Sequence, residues 1–328
     1  MDAGTRRDAV SIVVAVGLLA VAPLPGSAQT TDYPARPISM VVPFPAGGRS
    51  DVIGRVMVQH LSKQLGRAVA IVNKPGASGV LGATEVAQSK PDGYTVGLFS
   101  SAAVTAQYTV PTPLSLDEFE LVAIVNADPA ALAVQAAAPW QTLKALVEDA
   151  RRRPDQLRIG MIPGASAQIF AAGFARAAGV KLINVPFKGD SDGAVALAGG
   201  HIEAHVAVPV SYKSLIAAKK VRILAVAAEK SSPLYGNVPT FRDNDVDLDI
   251  AAFHGVYVPK GTPQPIVARL AQALQQTMAT PELVDTLHDI GAGVEFLQGA
   301  DAKAYLARQD ATYRAIIDDL GLRVAPTR

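Results

Sequence analysis

Cysteine is absent from the 328-residue sequence, which excludes a disulfide framework and any metal centre with thiolate ligands. An excess of one charge is also lacking, since 30 Lys and Arg residues against 29 Asp and Glu residues leave a formal net charge of +1. No basic stripe interleaved with aromatic residues is present, so we expect no nucleic-acid partner. Hydrophobic residues make up 49% and charged residues 18% of the chain, which indicates a folded globular protein.

Long apolar runs are missing after the N-terminal region. Arg6 and Arg7 precede an apolar stretch at residues 9–24, and the small residues Gly26-Ser27-Ala28 follow it. This pattern is typical of a secretory signal peptide, which we predict at residues 1–28 with cleavage after Ala28. The stretch is shorter than the roughly 20 residues that span a bilayer, although a permanent N-terminal anchor is the alternative. The mature protein is expected to be periplasmic, and the arginine pair alone leaves the export route open.

Strand-like and helix-like patterns alternate along the mature chain. This alternation predicts an α/β fold with parallel sheets that are covered on both faces. Strands are predicted at residues 38–42, 69–72, 95–99, 120–125, 131–135, 158–161, 182–185, 202–208, 222–227, 252–258 and 294–297. Helices are predicted at residues 52–65, 79–89, 142–152, 165–178, 192–198, 212–218, 265–278, 281–289 and 300–320.

The length of the chain favours two domains of ordinary size. We predict a discontinuous first domain at residues 29–127 and 255–328 and a second domain at residues 128–254. Crossings at residues 123–131 and 251–258 would form a two-strand hinge, with a ligand cleft between the domains. No internal repeat is visible.

The stretch VVPFPAGGRSD at residues 41–51 joins a strand to a helix through two adjacent glycines. Glycine permits close approach of the backbone to a ligand, and a helix N-terminus offers free N–H groups and a partial positive charge. Asp51 is predicted as the N-cap of this helix. The loop therefore suits a carboxylate or phosphate, and a tight turn without a ligand is the alternative.

Three further loops repeat parts of this arrangement. PGASG at residues 75–79 precedes a helix, and Ser100-Ser101-Ala102 follows a strand. IPGASAQ at residues 162–168 again joins a strand, a glycine, a small hydroxylated residue and a helix. Two facing helix N-termini, one in each domain, would hold one carboxylate between them. No phosphate-binding GxGxxG or GxxxxGK[ST] motif is present.

Catalytic and metal sites are less well supported. The sequence around Ser166 lacks the second glycine of a nucleophile elbow. His201, Glu203 and His205 alternate and would share one strand face, which we interpret as an exposed face rather than a metal site. We therefore predict no metal, no cofactor and no enzymatic activity. A secreted hydrolase or transferase that uses Ser166 or Ser101 is the alternative from a different functional class.

Seven motifs occur in the order in which they are found in the Bug family, which the sequence resembles from about residue 33 to 322. They are PFPAGGRSD, NKPGASGVLG, KPDGYTV, VPFKG, LAGGHIE, VPTF and VPKGTP. The family resembles the receptor component of tripartite tricarboxylate transporters. The resemblance implies a periplasmic binding protein fold, in which two α/β domains close on a small carboxylate.

The resemblance also implies a set of ligand contacts. Main-chain N–H groups of the first loop and of its counterpart in the second domain are expected to hold the carboxylate. The positions carried over are Phe44, Ala46, Gly47, Gly48, Asp51, Gly164, Ala165 and Ser166, with Ser78 and Ser101 as lateral contacts. The expected partners are membrane transporter subunits or a sensor kinase, and the protein is expected to be a monomer.

Several positions depart from the family pattern. Gln168 stands where a histidine is usual, Glu203 replaces an aspartate, and Ala207 replaces an acidic residue, which favours an alkyl or aromatic acid over an amino acid. Arg49 stands where a small residue is usual. A guanidinium there is suited to pair with a second carboxylate of the ligand, which would favour dicarboxylates; a side chain that points to solvent is the alternative.

Overall fold

The computed structural model describes Met1 and residues 33–163, 166–231 and 235–325. The predicted signal peptide therefore lies, apart from Met1, outside the described residues. Among the described helices, none combines the length and the apolar character that a membrane crossing requires.

Eleven strands and ten helices are found in the described part of the chain. The strands are β1 (Ile38–Val42), β2 (Val69–Asn73), β3 (Thr95–Ser100), β4 (Phe119–Pro129), β5 (Ala131–Gln135), β6 (Arg158–Met161), β7 (Ile183–Pro186), β8 (Ala204–Ala207), β9 (Val221–Val226), β10 (Ala251–Pro259) and β11 (Val294–Gln298). The helices are α1 (Arg49–Leu65), α2 (Val80–Ala87), α3 (Ser101–Thr109), α4 (Leu143–Arg152), α5 (Ser166–Ala178), α6 (Asp190–Ala198), α7 (Lys213–Ala217), α8 (Gln264–Met278), α9 (Pro281–Asp289) and α10 (Gly299–Asp319).

These strands form two sheets. The first has the order β11-β4-β10-β3-β1-β2, and the second has the order β7-β6-β8-β5-β9. The predicted α/β class is confirmed. The prediction of purely parallel sheets is wrong, because β10 runs antiparallel to both β3 and β4, and β5 runs antiparallel to both β8 and β9. Both crossings lie at the carboxyl edges, so β5 and β10, which enter their sheets from these edges, run in the opposite direction.

Helix α3 is the one described α-helix that the sequence did not predict. Its sequence, SAAVTAQYT, buries Ser101, Val104 and Ala106, and these small residues form no apolar stripe of helical period. Ser100 caps it through its side chain, which accepts a hydrogen bond from the N–H of Ala102 at 3.3 Å. The cap and the tertiary packing, rather than hydrophobic periodicity, therefore define this helix.

Strand directions place the loops that matter for function. Strands β1, β2, β3 and β4 run the same way, so their carboxyl ends share one edge of the first sheet. Strands β6, β7 and β8 likewise end at one edge of the second sheet, where Ala131 at the start of β5 pairs with Ala207. Only Ala130 separates β4 from β5. The carboxyl edges of the two sheets therefore meet at this crossing.

The C-terminal helix α10 adds a second connection between the two halves. Tyr313 and Ile316 of α10 belong to the same buried cluster as Phe170 and Phe174 of α5. At the end of the helix, Arg176 and Asp319 form an ion pair at 2.8 Å. Helix α10 thus packs on elements of both sheets.

Gly97 of β3 illustrates the packing of the first sheet. A Cβ atom at this position would lie 2.2 Å from Cζ of Tyr257, whose ring also makes edge contacts with Phe99 and Phe119. The aromatic ring therefore occupies the space that a side chain would need, and only glycine fits.

We predict that Gly97→Ala lowers the free energy of unfolding by about 1–3 kcal/mol, because overpacking forces the Tyr257 ring or the strand to move. Thr95→Val in the same strand is the control, and we expect a change within about 0.5 kcal/mol for this half-exposed residue. Urea unfolding of both variants measures the effect. Equal stabilities of the two variants would show that the sheet absorbs the extra methyl group.

Candidate functional site

The first glycine loop ends one turn earlier than the sequence predicted. Helix α1 begins at Arg49, and its N-cap is Gly48, in an extended conformation with φ −73° and ψ 166° and without a side-chain cap. The prediction that Asp51 is the N-cap is therefore wrong. Asp51 lies inside the first turn, because the two glycines already provide the change of direction that the chain needs.

Asp51 instead reaches back to the loop. Its Oδ2 accepts hydrogen bonds from the N–H of Gly47 at 2.8 Å and from Nε of Arg55 at 2.9 Å. Its Oδ1 accepts from Nδ2 of Asn73 at 2.9 Å. These contacts, led by the hydrogen bond from Arg55, lower the pKa of Asp51 to about 2 against burial, which acts in the opposite direction. Asp51 thus fixes the glycine loop to β2 and to the helix.

Two of the predicted main-chain donors already have acceptors, one in the first turn of α1 and one in the loop. The N–H of Gly47 is donated to Asp51, and that of Gly48 to the carbonyl of Pro45 at 3.2 Å. The first N–H groups of a helix have no intrahelical acceptor. The donors suited to an anion are therefore those of the first turn, beginning at Arg49. Phe44 is half-buried and Ala46 is exposed beside them.

The second predicted loop is only partly described. Helix α5 begins with Ser166, which is half-buried, whereas Gly164 and Ala165 lie outside the described residues. Ser166 follows β6 and lies at the carboxyl edge of the second sheet. The described end of this loop therefore faces the edge of the first sheet from which α1 begins.

The two predicted lateral contacts differ in their surroundings. Ser78 is exposed, in a loop where Gly76, Ala77, Ser78 and Gly79 all have positive φ. This loop touches the first one, because a Cβ on Gly79 would lie 3.2 Å from Cζ of Phe44. Ser101 is only 4% exposed and lies in the first turn of α3. Ser78 is therefore accessible to a ligand, and Ser101 is part of the packing beneath.

Arg49 does not point to solvent. Its Nη2 donates to Oδ2 of Asp128 at 2.5 Å and to the carbonyl of Gly291 at 3.1 Å. The side chain of Asp128 is 1% exposed and that of Arg49 is 35% exposed. The solvent-facing alternative is wrong, and whether Arg49 also contacts a ligand stays a prediction. Its charge already compensates a buried carboxylate of the protein.

A chain of buried polar groups continues from Asp128 and was not found from the sequence. Asn126 donates through Nδ2 to Oδ2 of Asp128 at 3.2 Å and to the carbonyl of Gly293 at 2.5 Å. His254 lies 2.8 Å from Oδ1 of Asn126 through Nδ1 and 3.0 Å from Oγ of Ser50 through Nε2. Because a carboxamide oxygen only accepts, Nδ1 carries the proton and Nε2 accepts from Ser50. We call Ser50, His254, Asn126, Asp128 and Arg49 the polar relay.

The polar relay resembles a Ser-His-Asn catalytic triad in its distances but not in its environment. Ser50 is 7% and His254 is 3% exposed, so neither is open to a substrate. Burial, followed by the charge of Arg49, lowers the pKa of His254 to about 3. An imidazole that resists protonation is a poor general base, and neutral Asn126 brings no charge to stabilise an imidazolium. The relay is therefore a structural connection between α1 and the crossing strands.

The sequence contained a weak signal for this relay. Asn126 and Asp128 alternate at the end of a strand, which places both side chains on one face. His254 is isolated in the sequence, and nothing in its neighbourhood indicates that β10 brings it beside Ser50. Asp190, the first residue of α6, is a further charged residue near Arg49 that the sequence did not indicate. Burial raises its pKa, while Arg49 and Ser211 act in the opposite direction.

The alternating His201, Glu203 and His205 do not share an exposed strand face. Strand β8 begins only at Ala204, and Glu203 precedes it, where it forms an ion pair with Arg158 at 2.7 Å. His205 is fully buried, and burial lowers its pKa to about 4. The exposed-face interpretation is wrong for His205, because a Cβ on Gly193 would lie 2.4 Å from its Nε2. Ala207, which replaces an acidic residue of the family pattern, is 1% exposed.

Two α/β sheets joined at a crossing, with helices that begin at the facing edges, define the periplasmic binding protein fold. The model of the tripartite tricarboxylate transporter family receptor matches residues 53–322, and the chain belongs to this family of solute-binding receptors. In the described part of the chain, no group of three or more His, Asp or Glu residues is placed to hold a metal ion.

Curated relatives support this assignment along nearly the full length. The chain is 30% identical to a UPF0065 protein in the gbd 5' region of Cupriavidus necator, over 96% of each chain. It is 28% identical to protein BugT of Bordetella pertussis, over 92% of this chain and 93% of BugT.

Solved structures show the same fold. A TctC solute-binding protein from Polaromonas, determined without ligand, is 34% identical and superposes with a TM-score of 0.83, covering 88% of this chain and 99% of that one. MatC from Rhodopseudomonas palustris, determined with bound malate, is 26% identical with a TM-score of 0.65, over 87% and 100% of the two chains. An R. palustris protein determined with adipate is 27% identical with a TM-score of 0.69, over 90% and 100%.

We predict that the Asp51 contacts stabilise the fold in a pH-dependent way. The folded pKa of about 2 lies below the ordinary value of 3.8, so the stabilisation is complete above about pH 4 and is lost as the pH falls towards about 2. Asp51→Asn should lower the free energy of unfolding at neutral pH by about 1–3 kcal/mol, because several donors lose their charged acceptor.

Urea unfolding of both proteins between neutral pH and about pH 2 measures this difference. The difference in the free energy of unfolding between wild type and Asp51→Asn should decrease as the pH falls. A difference that stays constant with pH would contradict the role of the ionised carboxylate.

Proposed function

We propose that this protein is a periplasmic receptor that captures a small organic carboxylate between its two sheets, for uptake or sensing. The observation that carries the proposal is the placement of α1 and α5. Both helices follow strands that end at the facing edges, and each carries a serine in its first turn, Ser50 in α1 and Ser166 in α5. Their N–H groups and partial positive charges suit one carboxylate.

The proposed contacts follow from the first turns and their loops. Arg49 and Ser50 supply the N–H groups of α1, and Ser166 supplies one from α5. Gly47, Gly48 and Asp51 shape the loop, and their own hydrogen bonds support a fixed rather than a flexible arrangement. The remaining contacts are proposed at Phe44, Ala46, Ser78, Gly164 and Ala165, and the buried Ser101 is proposed to support the site from beneath.

The favoured ligands are dicarboxylates and aromatic acids. Malate and adipate, which occupy the two R. palustris relatives, are both dicarboxylates, and this supports the first class. Arg49 lies beside the proposed site and is suited to a second carboxylate, although its pairing with Asp128 reduces the charge available. Main-chain donors recognise the carboxylate itself and leave the choice of ligand to the surrounding side chains.

Closure of the two halves is proposed as the capturing motion. The chain passes between the sheets at Ala130 and returns before Ala251, and few residues need to change conformation for a rotation at these points. The domain boundaries proposed above, 29–127 with 255–328 and 128–254, fall near these crossings. A closed form, present as a monomer, would then be recognised by transporter subunits or a sensor kinase.

We predict that the mature protein gains thermal stability with dicarboxylic or aromatic carboxylic acids and not with the corresponding amides. A ligand present at about 100 times its Kd stabilises the folded state by about 2.7 kcal/mol, which a thermal-shift measurement detects readily. A panel of acids with matched amides tests the carboxylate requirement. Shifts of equal size for acids and amides, or none with any acid, would overturn the proposed function.

We predict that Ser166→Pro weakens carboxylate binding by about tenfold or more, because it removes a charge-assisted N–H donor. Proline is tolerated at the first position of a helix, so the fold should persist. Ser166→Ala keeps the N–H group and removes the hydroxyl, and it should bind as the wild type does. Calorimetric titration of both variants separates the two contributions. A loss with Ser166→Ala as large as that with Ser166→Pro would assign recognition to the hydroxyl instead.

A further inference from the structure

The two halves of the molecule touch at a point on their facing edges. Gly291 lies shortly before β11, whose first residue, Val294, pairs with Asn126 near the carboxyl end of β4. Val210 follows the carboxyl end of β8. Gly291 therefore belongs to the carboxyl edge of the first sheet and Val210 to that of the second, and these are the edges that carry the proposed carboxylate site.

The contact between Val210 and Gly291 leaves no room for a larger residue at position 291. A Cβ atom on Gly291 would collide with Cβ and Cγ2 of Val210. Gly291 also has a φ of +70°, a conformation that favours glycine. The side chain of Val210 thus occupies the space in which any other residue would carry its own side chain.

The Gly291 side of the contact is fixed to the first half. The carbonyl of Gly291 accepts a hydrogen bond from Nη2 of Arg49 at 3.1 Å. The N–H of Gly293 donates to Oδ1 of Asp128 at 2.7 Å, and its carbonyl accepts from Nδ2 of Asn126 at 2.5 Å. Three members of the polar relay therefore hold this loop, and it moves together with α1 and β4.

The Val210 side is fixed to the second half. Val210 belongs to a short 3₁₀-helix, Pro209–Tyr212. Tyr212 is fully buried, and its hydroxyl lies 3.0 Å from Nδ1 and 3.0 Å from the carbonyl oxygen of His205 in β8. Two firmly held segments thus meet at Val210 and Gly291, and the angle between the halves depends on how closely they approach.

Open space borders this contact. A cavity of about 430 Å³ lies beside it and is lined by both halves, with Ile216 and Tyr235 from the second and His288 from the first. Val210 and Gly291 are themselves only half-buried. The halves therefore meet here at a small contact rather than through a continuous core, and the contact can change without disrupting either half.

Two buried polar atoms beside the contact show that a closer approach would be favourable. Among the described residues, Nε of Arg49 in α1 and Oδ1 of Asp190 in α6 have no hydrogen-bond partner. Helix α6 packs against the 3₁₀-helix that carries Val210. Burial raises the pKa of Asp190, and the charge of Arg49 acts against this increase. An unpaired buried donor and acceptor are unfavourable, so this pair favours closure while the contact opposes it.

We propose that Val210 and Gly291 form a closure stop, a contact that limits how far the two halves close over the carboxylate site. A larger residue at position 291 would hold the halves further apart. Loss of the Val210 side chain would let them approach, towards pairing of Arg49 with Asp190. The inference rests on the proposed closure and adds the two residues that set its extent.

Distances between two spin labels measure this angle directly. The sequence contains no cysteine, so Gln88→Cys in the first half and Val195→Cys in the second can be labelled selectively at exposed positions. In the mature protein without ligand, Gly291→Ala should lengthen the mean distance by on the order of 2 Å, because non-bonded carbon atoms require a separation of about 3.5–4.0 Å. Val210→Gly should shorten the distance, and the double variant should restore nearly the wild-type value.

Gly261→Ala is the matched control. Gly261 lies in an exposed turn with a φ of +86°, and within the described chain a Cβ there would meet no atom within 4 Å, its chain neighbours aside. The substitution therefore brings the same left-handed backbone cost without a collision. It should leave the label distance unchanged even if the melting temperature falls.

The outcomes separate the closure stop from the proposed function. An unchanged distance in folded Gly291→Ala or in Val210→Gly, or a double variant with the same distance as Gly291→Ala, would overturn the closure stop. Distances that follow the variants but do not respond to adipate or malate would support the closure stop and count against the proposed capture of a carboxylate.

Discussion

The buried carboxylate of Asp128 is the constraint on which the functional end of the molecule depends. A buried charge costs several kcal/mol unless it is paired and hydrogen-bonded. Here the guanidinium of Arg49, the amide of Asn126 and the N–H of Gly293 all donate to it. These donors come from the first turn of α1, from β4 and from the loop before β11. Satisfying one charge therefore fixes three segments together at the point where the chain crosses between the sheets.

The polar relay extends this constraint to the helix that begins at the proposed site. Ser50 and Arg49 are neighbours in α1, and each is connected to Asp128, one directly and one through His254 and Asn126. Side-chain contacts thus hold both residues in place at the first turn of α1. The same side-chain types, if exposed and charged, would suit catalysis. Their burial instead makes them a structural connection between α1 and the crossing strands.

The helices that begin at the facing edges present partial positive charge there. The net charge of +1 does not record this feature, because the partial charge belongs to the main chain and not to ionised side chains.

The sequence by itself determined most of the local structure. Strand and helix patterns, glycine loops and ordered motifs indicated the α/β class, the family and the helices that begin at the site, because these features depend on residues close in the chain. Tertiary structure alone decided what surrounds each side chain. Arg49 pairs with Asp128, which is 79 residues away in the sequence. Ser50 forms a hydrogen bond with His254, and His205 is buried rather than exposed. Strand direction decided the mixed sheets. These outcomes depend on contacts between distant segments, which create the burial and pairing that set charge, pKa and accessibility, and no local pattern records them.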